Sequence, residues 1–318
     1  PLAAAQLSAW MDDHSKLNGS SPLLPDLTHM LGSRRNHHSY RLALTARTVT
    51  EMIQELGVFS TGQSSPTIRT AFTPRPEAAT RVVFVMSGQG PQWWGMGREL
   101  MRHEPVFRQT IEACEEAMRP WAKFSLMEEL ARSEETTRMQ RTEVSQPAIF
   151  AMQMALAELW KSWGVMPAAV VGHSVGEVAA ACVAGILTLK QAAKIIVLRG
   201  RFMDECSAAG GTMLAVGMTP EEAMAVISRH DRTVSIAAFN GPRSLTLSGL
   251  KTSLEAIAAE LESKEIFARF LQVSHPFHHA MMQPAADALA ESLGELTPKA
   301  EVIPFFSTVT GDRLDGAS

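Results

Sequence analysis

Gly172-His173-Ser174-Val175-Gly176 sets a serine between two glycines, directly after the apolar run Ala168-Ala169-Val170-Val171 and before the small-residue run Val178–Ala184. The apolar run predicts a buried strand and the small residues a helix, so Ser174 falls on a sharp strand-to-helix bend. Glycines two residues to either side let neighbouring backbone pass close while the hydroxyl stays exposed. At a helix N-terminus, the unpaired amide of Val175 and the positive end of the dipole face any oxyanion formed by attack on a carbonyl. A serine hydroxyl is a weak nucleophile until a neighbour removes its proton, and Val273-Ser274-His275-Pro276-Phe277-His278-His279-Ala280-Met281-Met282 offers histidines for that work. Three histidines in five residues also raise a metal reading. The spacing fits no common site and no cysteine or carboxylate lies nearby, so a single histidine acting as base is the stronger expectation.

Two further stretches bear on the same chemistry. Val82-Val83-Phe84-Val85-Met86 reads as a parallel strand buried on both faces, and it runs into Ser87-Gly88-Gln89-Gly90-Pro91-Gln92-Trp93-Trp94-Gly95-Met96-Gly97. A glycine-rich turn at a strand's C-terminal end is where ligands bind in open α/β sheets. It lacks the Gly-x-Gly-x-x-Gly of a dinucleotide loop, so its expected use is a second backbone amide above Ser174, with Gln89 as donor. Arg199 stands amid Ile195, Ile196, Val197, Leu198 and Phe202. It must either snorkel to the surface, the ordinary outcome, or meet an anion.

These residues need elements to position them. The 318 residues, 46% hydrophobic and 19% charged, are enough for one large core with one or two small domains. A net charge of -4 leaves no electrostatic footprint for nucleic acid, and no apolar run reaches bilayer length, so neither nucleic acid nor membrane is an expected partner. Cys114, Cys182 and Cys206 lack paired spacing, which suits a reducing cytoplasm rather than a disulfide frame or zinc site. The chain begins at Pro1 with no signal peptide, and is expected to be a piece of a longer polypeptide.

Residues 1–80 read as a small α/β module: helices over Leu2–Leu17 and Leu23–Leu31 around the loop Asn18–Pro22, a strand at Tyr40–Leu44, and a helix capped by Thr48 with Glu51 and ending at Gly57. Ser60–Pro76 reads as a tether. The Arg34-Arg35-Asn36-His37-His38 cluster reads as a solvated loop. Further on, Ser145 is expected to cap a long helix with Pro147 in its first turn and Ile149, Met152, Leu156, Leu159, Trp160 and Trp163 as its buried stripe. Thr188 with Gln191 opens another helix, which carries Arg199. From Gly210 the pattern becomes βαββαβ: strands at Met213–Val216, Val234–Phe239, Ser244–Ser248 and Ile266–Val273, and helices capped by Thr219 and Thr252. Asn240-Gly241-Pro242 reads as the turn between the middle strands.

Gly88-Gln89-Gly90, Gly172-His173-Ser174-Val175-Gly176-Glu177, Arg199-Gly200, Asn240-Gly241-Pro242 and His275-Pro276-Phe277-His278 occur in one order over residues 80–318. Together they resemble the acyltransferase domain of polyketide synthases, which is related to malonyl-CoA:acyl-carrier-protein transacylase. The resemblance implies an α/β fold: an α/β-hydrolase-like large subdomain with a parallel sheet (81–209 and 275–318), an inserted ferredoxin-like small subdomain (210–274), and an N-terminal α/β linker domain (1–80) following a ketosynthase. It further implies Ser174 as acylated nucleophile, His278 as its base, backbone amides of Gln89 and Val175 as oxyanion hole, and Arg199 as clamp for the free carboxylate of an extender unit. Phe277 and His275 would complete the substrate pocket.

On this resemblance the chain binds no cofactor permanently. Malonyl-CoA is its substrate, the phosphopantetheine thiol of an acyl carrier protein its acceptor, and the upstream ketosynthase of the same polypeptide its neighbour. Val175 and His275-Pro276-Phe277-His278 resemble the malonyl-selective members, with Pro276 replacing the usual alanine. Phe277 would fill the space of an α-methyl branch, a discrimination of about 1–3 kcal/mol. Members of the family continue past the position of Ser318, so the large subdomain is expected to be C-terminally incomplete and its transfer activity impaired. Two other readings are a serine hydrolase, which needs an acid between Ser174 and the histidine for which only Asp204, Glu221 and Asp231 are available, and a non-catalytic carrier-docking scaffold.

Overall fold

Apolar residues three and four apart fold the first part of the chain into helices. The computed structural model describes residues 1–18, 23–72, 81–206, 210–230, 233–273 and 275–316, divided between the units Pro1–Thr80 and Arg81–Ser318. In the first unit, α1 (Leu2–Asn18), α2 (Leu24–Ser33) and α3 (Val49–Ser60) bury Ala4, Met11, Leu27, Val49, Met52 and Leu56 in one core. Thr48 Oγ1 caps α3 by accepting the Glu51 N–H at 3.1 Å. The helix runs past Gly57 to Ser60 because Phe59 still packs on that core. Strand β1 (Tyr40–Leu44) pairs antiparallel with β2 (Ile68–Phe72), Tyr40 facing Phe72. Strand β2 lies inside the stretch expected to be a tether. Its buried Ile68 and the pairing with β1 outweigh the Ser/Thr/Pro composition around it. The loop residues 19–22 and the tether residues 73–80 lie outside the described residues.

The second unit opens with β3 (Val82–Met86), followed by α4 (Arg98–His103), α5 (Pro105–Met118), α6 (Leu126–Ala131) and α7 (Thr142–Ser162). Then come β4 (Pro167–Gly172), α8 (Gly176–Val183) and α9 (Leu189–Glu205), the last closed at its start by the Thr188–Gln191 capping box. Helix α7 begins at Thr142, not at a Ser145 cap. The Asp204 carboxylate of α9 accepts the Thr142 N–H at 3.0 Å and so caps α7 from another helix, leaving Ser145 buried and Pro147 inside the helix. Its core face also differs from the expected stripe. Ile149, Met152 and Leu159 are buried with Ala148, Ala151 and Ala155, whereas Leu156, Trp160 and Trp163 are exposed. Small residues let α7 lie close against its neighbours, and the two tryptophans pack edge-on against each other at 5.3 Å.

The βαββαβ run becomes β5 (Gly211–Val216), α10 (Pro220–Ile227), β6 (Val234–Gly241), β7 (Ser244–Leu250), α11 (Lys251–Ser263) and β8 (Ala268–Phe270). Its antiparallel sheet has the order β6-β7-β5-β8, the ferredoxin-like arrangement. Gly241 pairs with Ser244, so Asn240 and Gly241 belong to β6 and the turn is Pro242-Arg243. Helix α11 starts at Lys251, straight after β7 and without a side-chain cap, so Thr252 lies inside the first turn and does not cap it as expected; the Lys251 N–H is taken by the Gly210 carbonyl at 3.2 Å. The chain returns through α12 (Gln283–Leu293), which packs on α9, to β9 (Phe305–Ser307) and β10 (Arg313–Leu314).

Strands β9 and β10 complete the first sheet, in the order β10-β9-β4-β3, with β3, β4 and β9 parallel and β10 antiparallel. Met86 pairs with Gly172 and Gly172 with Ser307, so three strands end level at the edge from which Ser174 emerges. Strand β3 is at the sheet's edge. Phe84 and Met86 turn to the core, whereas Val83 and Val85 are 49% and 71% exposed, correcting the expectation of burial on both faces.

Candidate active site

Ser174 sits on the bend after β4 with φ 52°, a left-handed conformation that costs a non-glycine residue energy and here turns its side chain out of the chain's path. Packing makes the flanking glycines obligatory. A Cβ on Gly176 would stand 2.2 Å from the Met86 carbonyl oxygen, and one on Gly172 would stand 2.4 Å from Glu177 Cα. The end of β3 is pressed onto the same bend. His173 N–H donates to Met86 O at 2.9 Å, and Gln153 of α7 reaches in to donate to Ser87 O at 2.7 Å. This holds the turn carrying Gln89 beside the first turn of α8, where Val175 is fully buried. Among the described residues, no backbone acceptor takes the amide of Gln89 or of Val175.

Three distant segments meet at the hydroxyl. Ser174 Oγ lies 3.0 Å from His278 Nε2, and Arg199 Nη2 donates to the same oxygen at 3.2 Å. Arg199 does not snorkel: its other terminal nitrogen donates to Gln146 Oε1 at 2.6 Å. Desolvation pulls the Arg199 pKa down to about 10, which still leaves the group charged at neutral pH. His278 also has a positive φ, 60°, and its ring pKa is lowered by desolvation and then by the charges of Arg199 and His173. It is therefore held as a neutral proton acceptor facing a serine that accepts from a cation.

The other histidines go elsewhere. His275 is buried and stacks on Phe277 with ring centroids 5.3 Å apart, while His279 Nδ1 accepts the Met281 N–H at 3.2 Å. Among the described residues, no group of three His, Cys, Asp or Glu side chains is arranged to hold an ion. Phe277 is buried with Met213 and Met282, against Met203. A cavity of about 260 Å³ opens beside Arg199 and His278, walled by Met203, His279, Met282 and Gln283. Phe277 and His275 thus stand behind that wall rather than in it. Through His279 the cavity adjoins a wider apolar groove of about 580 Å³ between α10 and β6, lined by Met224, Ile227 and Phe239.

Several residues that shape the site escaped sequence reasoning. Gln146 and Gln153 are seven apart, hence on one face of an otherwise apolar helix, and that spacing was the available signal. Glu177 closes the bend from behind. Its carboxylate accepts the Thr308 N–H at 2.6 Å and the hydroxyls of Thr308 and Ser307 at 2.9 and 3.0 Å, tying the end of β9 to α8. The acids considered for a hydrolase are engaged otherwise. Asp204 pairs with Arg141 at 2.9 Å, Glu221 lies in the first turn of α10, and Asp231 is outside the described residues.

Residues 83–317 match the family model described as the acyl transferase domain. Polyketide synthase GfsA of Streptomyces halstedii is 38% identical over 291 residues, which make up 91% of this chain and 4% of that protein. The chain therefore spans only a small part of such relatives. Among solved structures, the acyltransferase domain from module 8 of the salinomycin polyketide synthase superposes with a TM-score of 0.87 at 31% identity, over 99% of this chain and 72% of that one. The malonyl CoA-acyl carrier protein transacylase from Clostridium perfringens superposes with a TM-score of 0.67 at 30% identity, over 74% of each chain.

Proposed function

This chain belongs to the acyl transferase domain family, and we propose that it moves a malonyl unit from coenzyme A to the phosphopantetheine thiol of an acyl carrier protein through a Ser174 acyl-enzyme. The observation that carries the reading is the convergence of His278 Nε2 and Arg199 Nη2 on Ser174 Oγ at 3.0 and 3.2 Å. In the first half-reaction, His278 takes the Ser174 proton as Oγ attacks the thioester carbonyl. The Gln89 and Val175 amides receive the oxyanion, and the departing thiolate takes the proton from His278. In the second, the carrier thiol gives its proton to His278 and attacks the acyl-serine, and Ser174 recovers a proton as the new thioester leaves.

Arg199 gives the site its substrate class. A guanidinium with no carboxylate beside it among the described residues is a receptor for a free carboxylate, which malonyl supplies and acetyl does not. Phe277, with His275 stacked on it, packs against Met203 and keeps that wall of the cavity stiff, so that the extra methyl of methylmalonyl is disfavoured. The apolar groove beyond His279 suits the pantetheine arm.

The similarity to polyketide synthases supports a carrier protein and an upstream ketosynthase as partners, in a pathway of the antibiotic-forming kind. No helix among the described residues is long and apolar enough to cross a membrane, and the three cysteines are free, as a cytoplasmic setting favours. The test is incubation with malonyl-CoA and a carrier protein. Malonyl should appear on the carrier thiol, whereas release of free malonate alone would mark a hydrolase.

A further inference from the structure

Helices α7 and α9 come unusually close at one point, and the contact brings an amide against the guanidinium of Arg199. A Cβ on Gly200 would lie 2.9 Å from the Thr142 carbonyl oxygen and 3.2 Å from Glu143 Cα, so only glycine lets the backbones approach there. Asp204, one turn further along α9, fixes the same end of α7 through the Thr142 N–H and Arg141. One turn along α7, Gln146 is 2% exposed. Its Oε1 accepts from Arg199 Nη1 at 2.6 Å, while its Nε2 faces Met203 Sδ at 3.3 Å and Gln89 Oε1 at 3.4 Å. With the amide held from both sides, its oxygen can point only at Arg199.

We propose that Gln146 is a positioning residue for the carboxylate clamp: it fixes the Arg199 guanidinium with Nη2 turned toward Ser174 and so sets the preference for acyl groups bearing a free carboxylate. The inference rests on the acyl-transfer reading above. A neutral acceptor suits this task where a carboxylate would not. Gln146 orients the cation without cancelling its charge, and the counter-ion is left for the substrate to bring. A glutamate in its place would form the ion pair internally and compete with the incoming carboxylate.

The experiment measures single-turnover loading of Ser174 by malonyl-CoA and by acetyl-CoA for the full chain and for Gln146→Glu, Gln146→Leu, Gln153→Leu and Arg199→Ala. The malonyl-to-acetyl ratio should fall roughly 10- to 100-fold in Gln146→Glu, chiefly through a weaker KM for malonyl-CoA, and roughly tenfold in Gln146→Leu. Gln146→Glu should also move the acid limb of the rate profile upward, since the new carboxylate offsets the Arg199 charge felt by His278. Gln153→Leu touches the turn at Ser87 instead and should slow both thioesters together, which is what a purely structural role for Gln146 would produce. If both Gln146 variants keep the wild-type ratio while Arg199→Ala loses it, the positioning role is overturned and the acyl-transfer reading stands. If Arg199→Ala also keeps the ratio, or the wild type loads neither thioester, that reading fails and the inference goes with it. Should Gln146→Leu not fold, the nearly isosteric Gln146→Glu decides.

Discussion

Arg199 Nη2 stands 3.2 Å from Ser174 Oγ. A cation this close to the proposed nucleophile places any carboxylate it binds one short acyl group away from Ser174 Oγ. It also adds to the desolvation that keeps His278 unprotonated.

Arg199→Ala is therefore expected to lower the malonyl-over-acetyl loading preference by about 100-fold, the value of one to two charge-assisted hydrogen bonds. Rates of Ser174 acylation by the two thioesters measure it. An unchanged preference would mean that the carboxylate is bound elsewhere.

The acid limb of the loading rate should lie below the ordinary histidine value of 6.5, because desolvation first, and then Arg199 and His173, lower the His278 pKa. The proposed base works only when neutral, so activity should persist as pH falls past 6.5 and be lost further down. The stability effect has a matching sign. The unfolded chain protonates His278 before the native one does, so this group's contribution to stability declines as pH drops below 6.5. In Arg199→Ala the limb should move up toward 6.5. A limb at or above 6.5 in the wild type would contradict the assignment.

Gly176→Ala is expected to destabilise the second unit by about 2–4 kcal/mol, since its methyl group would meet the Met86 carbonyl at 2.2 Å and backbone must move to admit it. Urea denaturation measures the loss. A midpoint equal to wild type would show that the bend has room the packing denies it.

Glu177→Gln should cost about 1.5–3 kcal/mol, because the charged acceptor shared by the Thr308 N–H and the Ser307 and Thr308 hydroxyls becomes a neutral amide. The urea midpoint should fall, and Ser174 loading should slow as the end of β9 loosens from α8. No change in either would reduce Glu177 to a surface group.

Signals carried by neighbouring residues were legible in the sequence. The bend at Ser174, the caps at Thr48, Thr188 and Thr219, and the βαββαβ order depend on positions within a few residues of one another. What depends on contacts distant in the chain was not legible. Asp204 caps a helix that begins 62 positions earlier, which displaced the expected Ser145 cap. Strand β3 looked doubly buried because its composition cannot reveal that its Val83 and Val85 face is left open among the described residues, and Trp160 and Trp163 looked like core because hydrophobicity does not say which face of α7 meets its neighbours. The pairing of Arg199 with Gln146 spans 53 residues, beyond any periodicity.

Mass spectrometry of the chain after brief exposure to malonyl-CoA tests the central claim most directly, since stoichiometric trapping needs only one turnover. One malonyl group should be gained, mapped by proteolysis to the peptide containing Ser174 and absent from Ser174→Ala. Acylation at another residue, or equal loading of Ser174→Ala, would contradict it.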